Sequence, residues 1–125
     1  MERQRSFKSE DLNFTKFRKL SEDIVSANIF DSLTGRHLIA AFMNRKAVDL
    51  TLETGEVYFW SRKEKKLWHK GATSGNKLKV NRIEVDCDCD SLDIYVTPAG
   101  PACHFGAISC FDVGPEMNFE ESSQK

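Results

Sequence analysis

Reactive side chains are densest in Asp86-Cys87-Asp88-Cys89-Asp90, where carboxylates alternate with thiols. Aspartates at every second position repel one another unless solvent or a cation lies between them. Oxygen donors of this kind suit Mg²⁺ or Ca²⁺. An EF-hand loop is excluded, because a loop begun at Asp86 puts Ser91 where Gly is required and Thr97 where a bidentate Glu belongs. A solvated acidic turn accounts for the same carboxylates without any metal. The thiols add a second possibility: Cys87, Cys103 and Cys110 lack zinc-finger spacing, yet thiolates are soft ligands that select Zn²⁺ over Mg²⁺. Three thiolates around zinc leave a fourth position for water, the catalytic arrangement, whereas adding Cys89 closes the site and makes it structural. The residue types leave both open. His104, next to Cys103, is a candidate ligand or general acid/base near neutral pH, with an ordinary structural histidine as the alternative.

A basic cluster comes earlier in the chain: Arg62, Lys63, Lys65, Lys66, Lys70, Lys77 and Lys79, flanked by Trp60 and Trp68. Beside the turn Thr73-Ser74-Gly75-Asn76, these groups could hold a phosphate through charge and backbone amides. A soluble lysine-rich turn with two core tryptophans explains Lys63, Lys65 and Lys66 equally well. It explains Arg62 and Lys70, which bracket the turn, less well. His37 and His69 read as structural.

The elements that must position these groups follow from hydrophobic periodicity and turn chemistry. Ile24 to Phe30 and His37 to Met43 are strand-like, and Asp31-Ser32-Leu33-Thr34-Gly35 between them predicts a hairpin. Asn44 is placed to cap a helix with Met43, Ala47 and Leu50 on one face and Gly55 after its end. Val57 to Trp60 is strand-like again, and Lys63 to Lys66 has the polarity of an exposed turn. Val80, Ile83, Val85 and Cys87 lie in one largely alternating run and Leu92, Ile94 and Val96 in another of opposite parity. That switch predicts a second hairpin turning across Asp88 to Ser91. Pro98 to Pro101 ends the last strand. The expected fold is α+β: a compact, mostly antiparallel β domain with one principal helix.

The whole chain sets the bounds. Its 125 residues make one domain that buries roughly two thirds of its unfolded surface. Eighteen basic against nineteen acidic residues give a net charge of -1, so no overall field favours nucleic acid or an anionic membrane. No apolar run approaches the roughly 20 residues needed to cross a bilayer, and the start of the chain carries no signal-peptide pattern. The chain reads as cytoplasmic, where four cysteines serve metals or catalysis more often than disulfides. Residues 1–23 are expected to form a partly mobile N-terminal extension, 24–111 the functional domain, and 112–125 an acidic tail.

Taken together, the segments resemble the phosphoribosyl-AMP cyclohydrolase family of histidine biosynthesis. The matching stretches are Phe42-Met43-Asn44, Glu53-Thr54-Gly55-Glu56, Trp60-Ser61-Arg62, Leu67-Trp68-His69-Lys70-Gly71, Thr73-Ser74-Gly75-Asn76, Asp86-Cys87-Asp88, Asp90, Gly100-Pro101-Ala102-Cys103-His104 and Ser109-Cys110-Phe111. They run in the family's order from about Ile24 to Phe111. The resemblance implies a compact α+β hydrolase that opens the adenine ring of phosphoribosyl-AMP between N1 and C6. It implies Mg²⁺ on Asp86, Asp88 and Asp90, and zinc on Cys87, Cys103 and Cys110 shared between the two chains of a homodimer. His104 becomes the candidate for moving a proton from zinc-activated water to the departing nitrogen. Arg62, Lys70 and the turn Thr73, Ser74, Gly75, Asn76 become candidates to hold a substrate phosphate.

Two positions depart from the family pattern: Phe105 replaces the usual small polar residue after Cys-His, and Cys89 fills a variable position with no ligand role. A rival reading is a non-enzymatic module in which all four cysteines close a structural zinc site and the segment from Arg62 to Lys79 binds nucleic acid. The net charge of -1 argues against it.

Overall fold

Alternation of small or branched apolar residues builds the central strands. In β1 (Ile24–Asp31) Val25, Ala27 and Ile29 are fully buried, and in β6 (Ser91–Pro98) Leu92, Ile94 and Val96 are too. Burying one such branched side chain contributes roughly 1.5–3 kcal/mol, so these two strands form the centre of the core. The computed structural model describes residues 4–20 and 22–119. Within them β2 (His37–Asn44), α1 (Arg45–Thr54), β3 (Tyr58–Ser61), β4 (Lys66–His69) and β5 (Leu78–Val85) complete the regular elements.

The main sheet has the order β2-β1-β6-β5, and β3 and β4 form a separate two-stranded hairpin. The β1–β2 and β5–β6 pairs are antiparallel as expected, β3 pairs antiparallel with a β4 that the sequence did not predict and that begins at Lys66, and β1 and β6 run parallel in the middle of the sheet. Parallel neighbours need a long connection, and here α1 and the β3–β4 hairpin lie within it.

Local chemistry fixes the boundaries. Asp31 Oδ1 accepts hydrogen bonds from the Leu33 and Thr34 amides at 2.8 and 3.2 Å, closing the first hairpin. Asn44 Oδ1 accepts from the Ala47 amide at 2.9 Å and starts α1, a cap worth about 1 kcal/mol. Gly55 ends the helix in the left-handed region at φ 75°, which suits a residue without Cβ. The buried helix face is Ala47, Val48 and Thr51, whereas Leu50 is only half-buried. Met43, expected on that helical face, belongs to β2 and therefore does not set the helix phase.

The N-terminal extension packs onto the domain over much of its length. Leu12 and Phe14 are buried core residues, Phe7 packs against the same core, and the Arg45 guanidinium sits 4.7 Å from the Phe14 ring centroid. The expected acidic tail is exposed over residues 112–119, while Glu120 to Lys125 lie outside the described residues.

Candidate metal centre and substrate site

The β5–β6 hairpin places the three aspartates at its tip. Asp86 Oδ1 accepts from the backbone amides of Asp90 (3.0 Å) and Ser91 (3.1 Å), and the Cys89 amide donates to Asp86 O. Cys89 takes a left-handed φ of 60° to complete this tight turn. The Asp90 carbonyl accepts from the Ser26 amide at 3.2 Å, which ties the tip to the start of β1. Carboxylate oxygens of Asp86, Asp88 and Asp90 consequently lie within 4.8 Å of one another. Asp86 and Asp88 are exposed, whereas Asp90 is buried, and its Oδ1 has no hydrogen-bond partner. Burial raises the Asp90 pKa, the neighbouring Asp86 raises it further, and Lys16 opposes both. A buried acceptor lacking a hydrogen bond, beside two exposed carboxylates, fits a hard divalent cation.

The cysteines divide into separate places. Cys103 is buried and Cys110 half-buried, and the two thiols are close enough to influence each other's ionisation. Burial pushes the Cys110 thiol up, and Cys103 adds to the shift. Backbone bonds from Ala102 to Ile108 and from Cys103 to Ala107 shape the loop between them. Ser109, fully buried, donates through Oγ to the His37 carbonyl at 2.6 Å and pins that loop to β2. Asp112 strengthens the pin, accepting from the Ser109 amide and pairing with Arg36 at 2.7 Å. Cys87 instead stands exposed on the acidic hairpin. Among the described residues the aspartate trio is the only group of three or more metal-type donors, so neither a three-cysteine nor a four-cysteine cluster forms within this chain. Paired soft thiols fit one side of a zinc site that needs further ligands from elsewhere.

Lys70 lies in the thiol environment. Its residue is 5% exposed, with Nζ 5.2 Å from the Trp68 ring centroid. Burial lowers its pKa, while negative charge on Cys110 and Cys103 raises it. Gly71 follows at φ 86°, where a Cβ would collide with the Lys77 backbone, so only glycine lets the chain turn so closely here. Asn76, at the end of the Thr73–Asn76 turn, rests its side chain against Gly100, which brings the turn next to the cysteine-bearing segment. Thr73, Ser74 and Gly75 are exposed, but the Gly75 and Asn76 amides are engaged within the turn by Gly71 O and Ser74 Oγ.

Arg62 does not join Lys70. Its Nε donates to Glu22 Oε2 at 2.6 Å, Lys65 reaches Glu22 Oε1 at 3.1 Å, and the Arg62 guanidinium lies 5.2 Å from the Phe42 ring centroid. His104 is exposed, its ring against Phe105 with centroids 4.1 Å apart. His69 pairs with Glu56 at 2.7 Å and stacks on Tyr58, and His37 stacks on Phe30, in keeping with their structural reading. The two tryptophans are not core residues: Trp60 is half-buried and Trp68 is 43% exposed. Sequence patterns did not reveal Glu22 or Lys16, and marked Ser109 only as part of a matching stretch, because each acts through a partner far away in the chain. The capping arrangement Ser109 to Asp112 is the one local signal that was available.

Fold and donor chemistry thus define a small α+β domain with hard carboxylate donors clustered on one hairpin and two soft thiol donors, Cys103 and Cys110, on another loop. Residues 39–112 match the family described as phosphoribosyl-AMP cyclohydrolase, and the chain belongs to that family. It is 52% identical over 88 residues to a phosphoribosyl-AMP cyclohydrolase of Lacticaseibacillus casei, covering 70% of this chain and 80% of the relative. A phosphoribosyl-AMP cyclohydrolase of Methanosarcina barkeri is 47% identical over 93 residues, 74% of this chain and 72% of the relative. A histidine biosynthesis bifunctional protein of Photobacterium profundum is 45% identical over 100 residues, 80% of this chain but 48% of that longer protein.

Proposed function

We propose that this chain hydrolyses the adenine ring of phosphoribosyl-AMP between N1 and C6, as a cytoplasmic step of histidine biosynthesis. The observation that carries this reading is the family match over residues 39–112, which takes in both donor sets and the turn beside them. No helix among the described residues is long and apolar enough to cross a membrane.

Asp86, Asp88 and Asp90 would hold Mg²⁺ by the preference of a hard cation for carboxylate oxygen. Cys103 and Cys110 of one chain, with Cys87 of the other in a homodimer, would hold zinc. The separation of exposed Cys87 from the neighbouring pair Cys103 and Cys110 supports that division. When bound, zinc supplies a water that ionises near neutral pH.

The chain's own side chains carry the remaining work. His104, exposed next to Cys103, is assigned the proton transfer: the water oxygen ends as the C6 carbonyl oxygen, and N1 leaves carrying a proton. Lys70 offsets the negative charge that two thiolates bring into a buried place. Thr73, Ser74, Gly75 and Asn76 are assigned to one substrate phosphate. Arg62, held by Glu22 through Nε, keeps its other guanidinium N–H groups for a substrate phosphate. The nucleic-acid reading is not favoured, since its four-cysteine cluster does not form among the described residues.

Purified protein incubated with phosphoribosyl-AMP should produce the ultraviolet absorbance change of ring opening. That change should disappear with a zinc chelator and return with added Zn²⁺. An unchanged spectrum with metal-replete, folded protein would reject the activity.

A further inference from the structure

The segment before β1 reaches the aspartate trio directly. Leu12 and Phe14 anchor it in the core, and between them the Asn13 amide donates to the Cys89 carbonyl at 2.7 Å, on the acidic hairpin itself. Beyond this anchor, Lys16 Nζ lies 3.8 Å from Asp90 Oδ1. That oxygen is the one buried side-chain acceptor among the described residues with no hydrogen bond, and Asp90 is only 7% exposed. The ammonium therefore compensates charge without satisfying the acceptor. The far side of the turn is held as well: the Arg18 amide donates to Thr15 O at 3.1 Å, and Phe17 packs edge-on against Phe42 with centroids 5.4 Å apart. Lys16 is thus delivered to Asp90 by a chain path fixed at both ends, while its side chain, 48% exposed, has room to leave.

A divalent ion among these carboxylates would stand within a few ångströms of that ammonium, and the two positive charges would repel. We propose that Lys16 is a tethered counter-cation of the aspartate trio, sitting on Asp90 while no divalent ion is bound and yielding to solvent when one arrives. The N-terminal segment thereby sets the strength of cation binding. The role rests on the reading of the trio as a hard-cation site, and it is carried by residues that precede the family match at 39.

Mn²⁺ binding to the full chain, measured by electron paramagnetic resonance, tests it. Asp90→Asn should lose the site seen in the wild type, which checks the cation site independently of Lys16. Lys16→Met, which keeps the apolar stem, should bind Mn²⁺ roughly two- to tenfold more tightly, and Lys16→Arg should stay near wild type. Equal or weaker binding by Lys16→Met, with Asp90→Asn still defective, overturns the counter-cation and leaves the cation site standing. No Mn²⁺ bound by the wild type, or wild-type binding by Asp90→Asn, overturns both.

Discussion

Lys70 and the two thiols beside it show how burial redirects a side chain. A lysine in a basic, turn-rich stretch suggests phosphate contact, and at 5% exposure its ammonium would also gain from ionised Cys103 and Cys110. Thiolates there are accordingly less costly than they would be alone. At this scale the proposed zinc site gives the cysteines different roles. Cys103→Ala should lose zinc and activity together, because the remaining thiols cannot complete the ligand set, whereas Cys89→Ser should keep zinc stoichiometry and most turnover. Metal analysis of both variants checks this, and zinc loss in Cys89→Ser would point to the closed structural site. His104→Ala should retain both metals and lower kcat by about 10²-fold or more, the scale of general acid/base catalysis. Steady-state rates at saturating substrate decide it, and an unchanged kcat would leave His104 without a chemical role.

Elements are tied together here by ion pairs that span long stretches of sequence. Glu22, just ahead of β1, accepts from Arg62 after β3 and from Lys65 in the β3–β4 turn, so one carboxylate fastens the small hairpin to the main sheet. The Arg62 guanidinium, with help from Lys65, lowers the Glu22 pKa from the ordinary 4.5 despite some opposing burial. A depressed carboxyl pKa stabilises the fold above the unfolded value, and that contribution is lost as pH falls through the lower folded value. Glu22→Gln should therefore reduce Tm at pH 7. The gap from wild type should begin to close below about pH 4.5, once the unfolded carboxyl takes up protons, and should disappear under more acid conditions. Thermal melts across that range check the sign; a gap independent of pH would mean the carboxylate charge is not what holds the hairpin.

At the scale of the whole molecule, the proposed zinc site would draw its ligands from two chains. Cys87 is exposed on the acidic hairpin, while Cys103 and Cys110 neighbour each other on a loop pinned to β2. A twofold dimer with shared ligands would hold two composite sites. Cys87→Ala and Cys110→Ala chains, each inactive alone, should recover activity when unfolded together and allowed to reassort. A mixed dimer collects both lesions in one site and leaves the other intact. With about half the dimers mixed, the yield should be roughly a quarter of wild type if pairing is unbiased. Mass-verified mixed dimers without activity would place all three cysteines in one chain.

The sequence by itself determined what is local. Asn44 and Gly55 delimit α1, Asp31 closes a hairpin, and the parity switch predicted the β5–β6 turn, which falls at Asp86 to Asp90 rather than Asp88 to Ser91, because caps, turns and alternation act within a few residues. The same locality made the aspartate trio legible, since alternate positions beside a tight turn stay close however the rest folds. Tertiary structure decided which strands are neighbours, as the parallel β1–β6 pair joins segments of the same apolar character that alternation cannot match. It also decided the partners of Lys70, Glu22 and Asp90. Each is a buried charge faced by groups distant in the chain, Cys103 and Cys110, Arg62 and Lys65, and Lys16 respectively. Side-chain type reveals the charge, but only packing determines how much water it loses and which opposite charge replaces that water.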